Sequence, residues 1–157
     1  MGFMAKTDIN GVFIRAIKRF EDERGWLSEI YRSDEDNLKP VMCYVSFTRF
    51  NAIRGPHEHK KQSDYFLFMG SGDFELYLWD NRKRSKTFGK SMKITLGESN
   101  KAAVLVPPGV VHGYKSISKQ GSFSINLPNR LYKGKYKKDK VDEIRHEDDN
   151  PSQFNIS

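Results

Sequence analysis

A two-residue period constrains this chain more than any other feature. In Asp73-Phe-Glu-Leu-Tyr-Leu-Trp79, Phe74, Leu76 and Leu78 share one parity, and charged or aromatic residues take the other. Successive side chains of a strand point to opposite faces, so such a run makes a half-buried strand. Ser122-Phe-Ser-Ile-Asn-Leu127 repeats the pattern, and Phe123, Ile125 and Leu127 are expected to face together. Ala103–Val106 and Tyr65–Met69 are short apolar runs bounded by turn residues. Turn signals separate these runs at Arg54-Gly-Pro, Gly70-Ser-Gly, Asp80-Asn, Pro107-Pro-Gly and Lys119-Gln-Gly. No stretch of helical length keeps a 3.6-residue period. One short helix is expected over Ser33–Leu38, opened by a Ser cap with acidic residues in its first turn. Many short strands at regular spacing predict an all-β sandwich, jelly roll or barrel.

At 157 residues the chain is expected to form one domain over residues 1–157, with a core at about 10–130 and a charged tail at about 133–157. No apolar run reaches the ~20 residues needed to cross a membrane, and the first residues do not form a signal-peptide core. The single cysteine, Cys43, excludes an internal disulfide framework and a cysteine zinc cluster. It is expected to be a small buried residue, and the default setting is a reduced cytoplasm. The net charge is +7, from 27 Lys and Arg against 20 Asp and Glu. Lys133-Gly-Lys-Tyr-Lys-Lys-Asp-Lys140 alone holds five lysines against one aspartate and reads as a solvated loop. No zinc finger, helix-turn-helix or aromatic RNA-binding motif accompanies it, which argues against nucleic acid as a partner.

The chemistry concentrates in the histidines. His57 and His59 are two residues apart after Arg54-Gly-Pro. On a strand both imidazoles reach one face and one cavity. His112 follows Pro107-Pro-Gly-Val-Val, a turn that starts a strand with an imidazole at its mouth. Two uses fit. One is a metal site of His57, His59 and His112 with Asp64 as carboxylate, suited to iron, manganese, nickel or zinc. The other is proton transfer beside a carbonyl, which suits a group that titrates near neutrality. A turn interrupts the chain before Asp64, so parity does not fix its facing, and a turn or ion-pair role is expected. His146, in the charged tail, is expected to be solvated. Tyr77 and Trp79 form an outer aromatic pair expected at an interface or packed on the surface.

These motifs resemble the cupin superfamily: His57-x-His59 with a carboxylate at 64, then Pro107-x-Gly109-x-x-His112. The branch they most resemble is the dTDP-4-dehydrorhamnose 3,5-epimerases and related sugar-nucleotide cupins. Asp22-Glu-Arg-Gly-Trp-Leu-Ser-Glu29 looks like their Asp-x-Arg-Gly segment, and Arg54-Gly-Pro-His57 like their Arg-Gly-x-His. Asp80-Asn-Arg-Lys-Arg-Ser-Lys-Thr-Phe-Gly89 and Val106-Pro-Pro-Gly-Val-Val-His-Gly113 match two further motifs in the same order. The resemblance implies a cupin-type jelly roll (double-stranded β-helix), a homodimer and no cofactor. It also implies a nucleotide-diphosphate sugar as substrate. His57 would remove a proton alpha to the keto group of a nucleotide-linked 4-keto-6-deoxy sugar, in deoxysugar or surface-polysaccharide biosynthesis. Arg54 would bind near the enolate or the phosphates, His112 near the pyrophosphate, and Arg24 and Glu29 near the nucleotide, with the partner subunit contributing.

The sequence also departs from that pattern. Ile125 aligns with the family's tyrosine acid and is expected at that inward position. Tyr65 aligns with a family lysine, and Tyr132 is a phenol one segment further on that would need to fold inward. Asn155, in Ser152-Gln-Phe-Asn155, stands where the family places the carboxylate that orients its base. Arg54-Gly-x-His57-x-His59-Lys60 also resembles the sugar-nucleotide 3,4-ketoisomerases, in which His57 and His59 would move a proton on one face. An epimerase or isomerase is therefore expected. A metal-binding cupin and a catalytically silent sugar-nucleotide binder are the alternatives.

Overall fold

The computed structural model describes residues 5–36, 38–149 and 151–157. Thirteen strands follow in chain order: β1 (Ala5–Lys6), β2 (Phe13–Ala16), β3 (Phe20–Asp22), β4 (Gly25–Leu27), β5 (Tyr44–Thr48), β6 (Ile53–Glu58), β7 (Asp64–Phe68), β8 (Asp73–Asp80), β9 (Ser91–Gly97), β10 (Ala102–Val106), β11 (Val110–Ser116), β12 (Ser122–Asn126) and β13 (Ile144–Arg145). Among the described residues the helical content is two 3-10 turns, Lys135–Lys137 and His146–Asp148. No helix is long and apolar enough to cross a membrane.

The strands form a six-stranded sheet, β1-β2-β10-β7-β12-β5, and a five-stranded sheet, β13-β6-β11-β8-β9, with β3-β4 as a separate hairpin. All pairings are antiparallel. This is the jelly roll that the short alternating runs require. Phe74, Leu76 and Leu78 of β8 are fully buried between the sheets, against Phe66, Phe68 and Tyr114 among others. Each such side chain contributes about 1.5–3 kcal/mol of burial. Tyr77 and Trp79 stack on the other face, where Phe154 of the C-terminal segment packs on Trp79 and the Tyr77 hydroxyl donates to the carbonyl of Ser157. The chain's own end covers this aromatic pair.

β12 reverses the expected polarity. Ser122, Ser124 and Asn126 face the interior, Phe123 is exposed, and Ile125 and Leu127 pack in a second cluster with Ile17, Leu38, Tyr65 and Leu67. The inward residues are polar because each has a partner there. Ser124 Oγ bonds the Tyr114 hydroxyl, Ser122 Oγ bonds Ser116 Oγ, and Asn126 bonds both Asp64 and the backbone of Tyr65. A buried polar group with its hydrogen bonds made costs little. The central strands of the six-stranded sheet are therefore covered on both faces, by the opposite sheet and by residues such as Ile17, Ile30, Tyr31 and Leu38.

Three further expectations are corrected. Residues 33–35 form a turn, with Asp36 N–H donating to Arg32 O, where a helix was predicted; Asn37, within that predicted helix, lies outside the described residues. Cys43 is exposed, just before β5. His146 is buried, its Nε2 2.9 Å from Glu58 Oε1 and its Nδ1 3.2 Å from Asp149 Oδ2. The tail beyond residue 133 folds back, and β13 pairs with β6 so that Arg145 lies opposite His57.

Candidate active site

Local geometry brings three imidazoles together. His57 of β6 and His112 of β11 are direct cross-strand partners, their ring centroids 4.5 Å apart. His59 lies two residues beyond His57 and keeps its face, with centroids 5.5 and 5.8 Å from the other two. Gly55 permits this approach: its φ is +80°, and a Cβ there would lie 2.6 Å from the carbonyl of His112. Gly109, with φ +74°, shapes the turn into β11, and its N–H donates to His59 O at 2.8 Å.

Asp64 opens β7 on the facing sheet and points at these rings. It is 1% exposed, with Oδ2 3.1 Å from His59 Nε2 and 3.3 Å from His112 Nε2. Its Oδ1 accepts from Gln62 Nε2 and Asn126 Nδ2, both at 2.8 Å. Burial resists its ionisation, but the imidazoles of His112 and His59 overcome this and hold the carboxyl well below the usual range.

The three histidines differ in state. His59 bonds the carbonyl of Asp142 through Nδ1 and faces Asp64 through Nε2. Burial disfavours its charge, but Asp64 and that carbonyl raise its pKa. It is best described as the cation of an ion pair. His112 donates Nδ1–H to Val110 O at 3.0 Å, and its buried Nε2 makes no hydrogen bond despite its closeness to Asp64. His57 is the reverse of His59. Burial, then the neighbouring imidazoles of His112 and His59, push it down to about 2. It is a neutral imidazole with an unshared pair. Its Nε2 is 3.9 Å from Glu143 Oε1.

His57, His59 and Glu143 line a cavity of roughly 1290 Å³, larger than the about 300–1,000 Å³ typical of small-molecule sites. Arg54, His57 and His59 line one wall, and Tyr44, Ser46 and Phe66 the other. Arg54 is fixed by Nε donation to Thr48 Oγ1 and Nη2 donation to Phe47 O, both at 2.9 Å. Lys133, Lys137 and Lys140 ring the mouth, so part of the lysine run faces the cavity. Tyr132 lies on this rim, exposed, with the Lys133 ammonium over its ring.

Other expected residues lie elsewhere. Tyr65 faces the opposite side of its sheet, because it alternates with Asp64 and Phe66; its hydroxyl accepts from Arg15 at 2.5 Å. Ile125 shares that outer face, so Asn126 takes the inward position. Asn155 is exposed; the carboxylate nearest His57 is Glu143, and the buried Asp64 faces His59 and His112. Arg24 is ion-paired to Asp22 on the β3–β4 hairpin, Glu29 is paired to Arg32, and neither lines the cavity within one chain.

Sequence reasoning missed Tyr44, Asn126, Asp142 and Glu143. Asp142 accepts the backbone N–H groups of Lys60, Lys61 and Gln62 through its carboxylate. No local motif marked these residues, since their positions depend on strand register and on the path of the tail.

The donor set also fits a divalent transition metal. The ligating atoms of His57, His59 and His112 lie within 4.8 Å of one another, and the Nδ1 atoms of His59 and His112 contact backbone carbonyls, as metal-bound histidines commonly do.

Fold and site define a cupin-type jelly roll with a histidine-lined cavity between its sheets. Residues 6–152 match the family described as dTDP-4-dehydrorhamnose 3,5-epimerase, and the chain belongs to that family. It is 34% identical over 128 residues to a probable low-salt glycan biosynthesis epimerase of Haloferax volcanii, covering 80% of this chain and 81% of that one. It is also 34% identical over 111 residues to the spore coat polysaccharide biosynthesis protein SpsL of Bacillus subtilis, covering 69% and 72%. In fold it is similar to the crystal structure of a dTDP sugar isomerase from Desulfovibrio desulfuricans G20, with a TM-score of 0.82 at 19% identity over 94% of this chain and 92% of the other.

Proposed function

We propose that the protein is a sugar-nucleotide epimerase. In this reading His57 removes the proton alpha to the keto group of a nucleotide-linked 4-keto-6-deoxy sugar, in deoxysugar or surface-polysaccharide biosynthesis. The observation that carries this is the neutral His57 beside a fixed positive field. In this reading the His59 imidazole, paired with Asp64, and the Arg54 guanidinium would supply positive charge to the developing enolate oxygen. Preorganised positive groups in a buried site stabilise such an oxyanion strongly. The lysines at the mouth suit a diphosphate.

A cytoplasmic homodimer fits this reading. Val45 and Phe47 are exposed on β5, an edge of the six-stranded sheet, and Phe20, Trp26 and Leu27 are exposed on the hairpin that carries Arg24. Uncovered edges and apolar residues favour pairing with a second copy. Light scattering on a sizing column tests it, and a monomer at working concentration would count against it.

The functional test is solvent deuterium uptake into dTDP-4-keto-6-deoxyglucose. Incorporation with inverted product supports epimerisation. A 3-keto product points to the 3,4-ketoisomerase chemistry. Binding of dTDP without exchange from any such sugar points to a silent binder. A second reading, a metal centre on His57, His59, His112 and Asp64, rests on the closeness of their ligating atoms. Elemental analysis of protein purified without chelator decides it, since a stoichiometric transition metal would favour that reading.

A further inference from the structure

Inverting a carbon by proton transfer needs two groups, because the proton leaves one face and returns to the other. His57 and His112 stand on the five-stranded sheet, and His59 follows directly after β6 on the same side. The six-stranded sheet opposite is the wall that can supply the returning group from the other face. Among the described residues, that sheet's strands contribute Tyr44, Ser46 and Phe66 to the cavity. Of these, the Tyr44 phenol is the strongest proton donor.

We propose that Tyr44 is the acid that returns the proton to the sugar carbon, on the face opposite His57; this rests on the epimerase reading above. A fixed hydrogen-bond order supports it. Asn126 Oδ1 accepts the backbone N–H of Tyr65 at 3.1 Å, which sets the orientation of the amide. Asn126 Nδ2 must then donate, at 2.9 Å to the Tyr44 hydroxyl oxygen and at 2.8 Å to Asp64 Oδ1. The phenol oxygen is the acceptor in this contact. Its own proton is left to point elsewhere, and among the described residues no side chain or carbonyl accepts it. The cavity is where that proton can go. The other phenols do not compete. Tyr114 shares its hydroxyl with Ser124 in the core, Tyr65 faces away, and Tyr132 and Tyr136 line the cavity only at its exposed rim.

The step balances without a co-reactant. His57 takes the alpha proton, and the C–H electron pair becomes the enolate. The enolate carbon then forms a bond to the Tyr44 proton as the O–H bond breaks. The phenolate left behind keeps the Asn126 N–H as donor. Water reprotonates Tyr44 and removes the proton from His57. The chain Tyr44–Asn126–Asp64–His59 also links the two walls, so both proton-handling faces share one rigid support.

The test compares Tyr44→Phe with wild type on dTDP-4-keto-6-deoxyglucose in deuterium oxide. Expected is deuterium uptake within about threefold of wild type but epimer formation slowed about 100-fold or more, the usual scale for losing a general acid. Epimer formation within threefold of wild type overturns the role. Because Tyr44 is partly exposed, the variant should fold; an unchanged melting temperature and dTDP binding check this. Should it not fold, a fluorinated tyrosine at position 44 replaces it. That more acidic phenol should move the alkaline limb of epimer formation to lower pH, and an unmoved limb overturns the role. No exchange by wild-type protein with any 4-keto sugar nucleotide would remove the epimerase reading and this role with it. Exchange with unimpaired inversion in the variant removes the role alone.

Discussion

Asp64 Oδ2 lies 3.1 Å from His59 Nε2; Asp64 opens β7 of one sheet, His59 follows β6 of the other, and both side chains are almost wholly buried. This contact ties the walls of the cavity and sets the charge of its floor. It also separates the histidines electrostatically: Asp64 favours the charged form of His59, whereas burial disfavours that of His57.

Asp64→Asn leaves the His59 imidazolium without its counter-charge. Removing one partner of a buried ion pair costs about 3–5 kcal/mol. Urea unfolding should show a loss of that order, with a concurrent fall in substrate exchange. A change below about 1 kcal/mol would mean that the pair is not the buried contact described here.

The pH dependence follows from His57. Its pKa is about 2 in the folded protein, against 6.5 for a free imidazole. Below 6.5 the unfolded chain takes up a proton that the folded site refuses. This group's stability contribution is thus fully present above pH 6.5 and is lost as pH falls toward the folded value. The slope from one such proton approaches about 1.4 kcal/mol per pH unit. His57→Asn should flatten the acid-side decline in unfolding free energy between pH 6.5 and 4.5 relative to wild type. Parallel curves would contradict the neutral, buried state of His57.

Much of this site was legible from spacing. The i, i+2 pair His57 and His59, and the turn that places His112, need only strand periodicity and turn chemistry. Asp64 was named as a potential ligand, but its facing was not readable, because a turn breaks the parity between His59 and β7. β12 misled for a different reason. Alternation tells which residues share a face but not which face is inside, and the partners of Ser124 and Asn126 on other strands decided it. Tyr44 and Glu143 carried no local signal. One depends on the register Tyr44↔Asn126 and the other on a tail that returns as β13.

Tyr65 is a control for that parity argument. Its hydroxyl is held by Arg15 on the outer face, away from the histidines. Tyr65→Phe should therefore leave deuterium exchange within about twofold of wild type. It should lower stability by roughly 1.5–3 kcal/mol, the range for losing a hydrogen bond to a charged group. A large loss of exchange at unchanged stability would put Tyr65 back in the active site.

Glu143 offers the sharpest test of His57 as the base. A buried imidazole with so low a proton affinity is free of a proton at any working pH, yet it accepts one reluctantly. The Glu143 carboxylate, 3.9 Å from its Nε2, is placed to stabilise the imidazolium as it forms. A carboxylate does this without being protonated itself. Glu143→Gln keeps the shape and removes the charge. Exchange should then slow by about tenfold or more while dTDP affinity stays within about twofold. His57→Ala should abolish exchange in either background. If Glu143→Gln weakens dTDP binding and leaves the exchange step intact, Glu143 serves the ligand and the imidazolium gains its support from elsewhere.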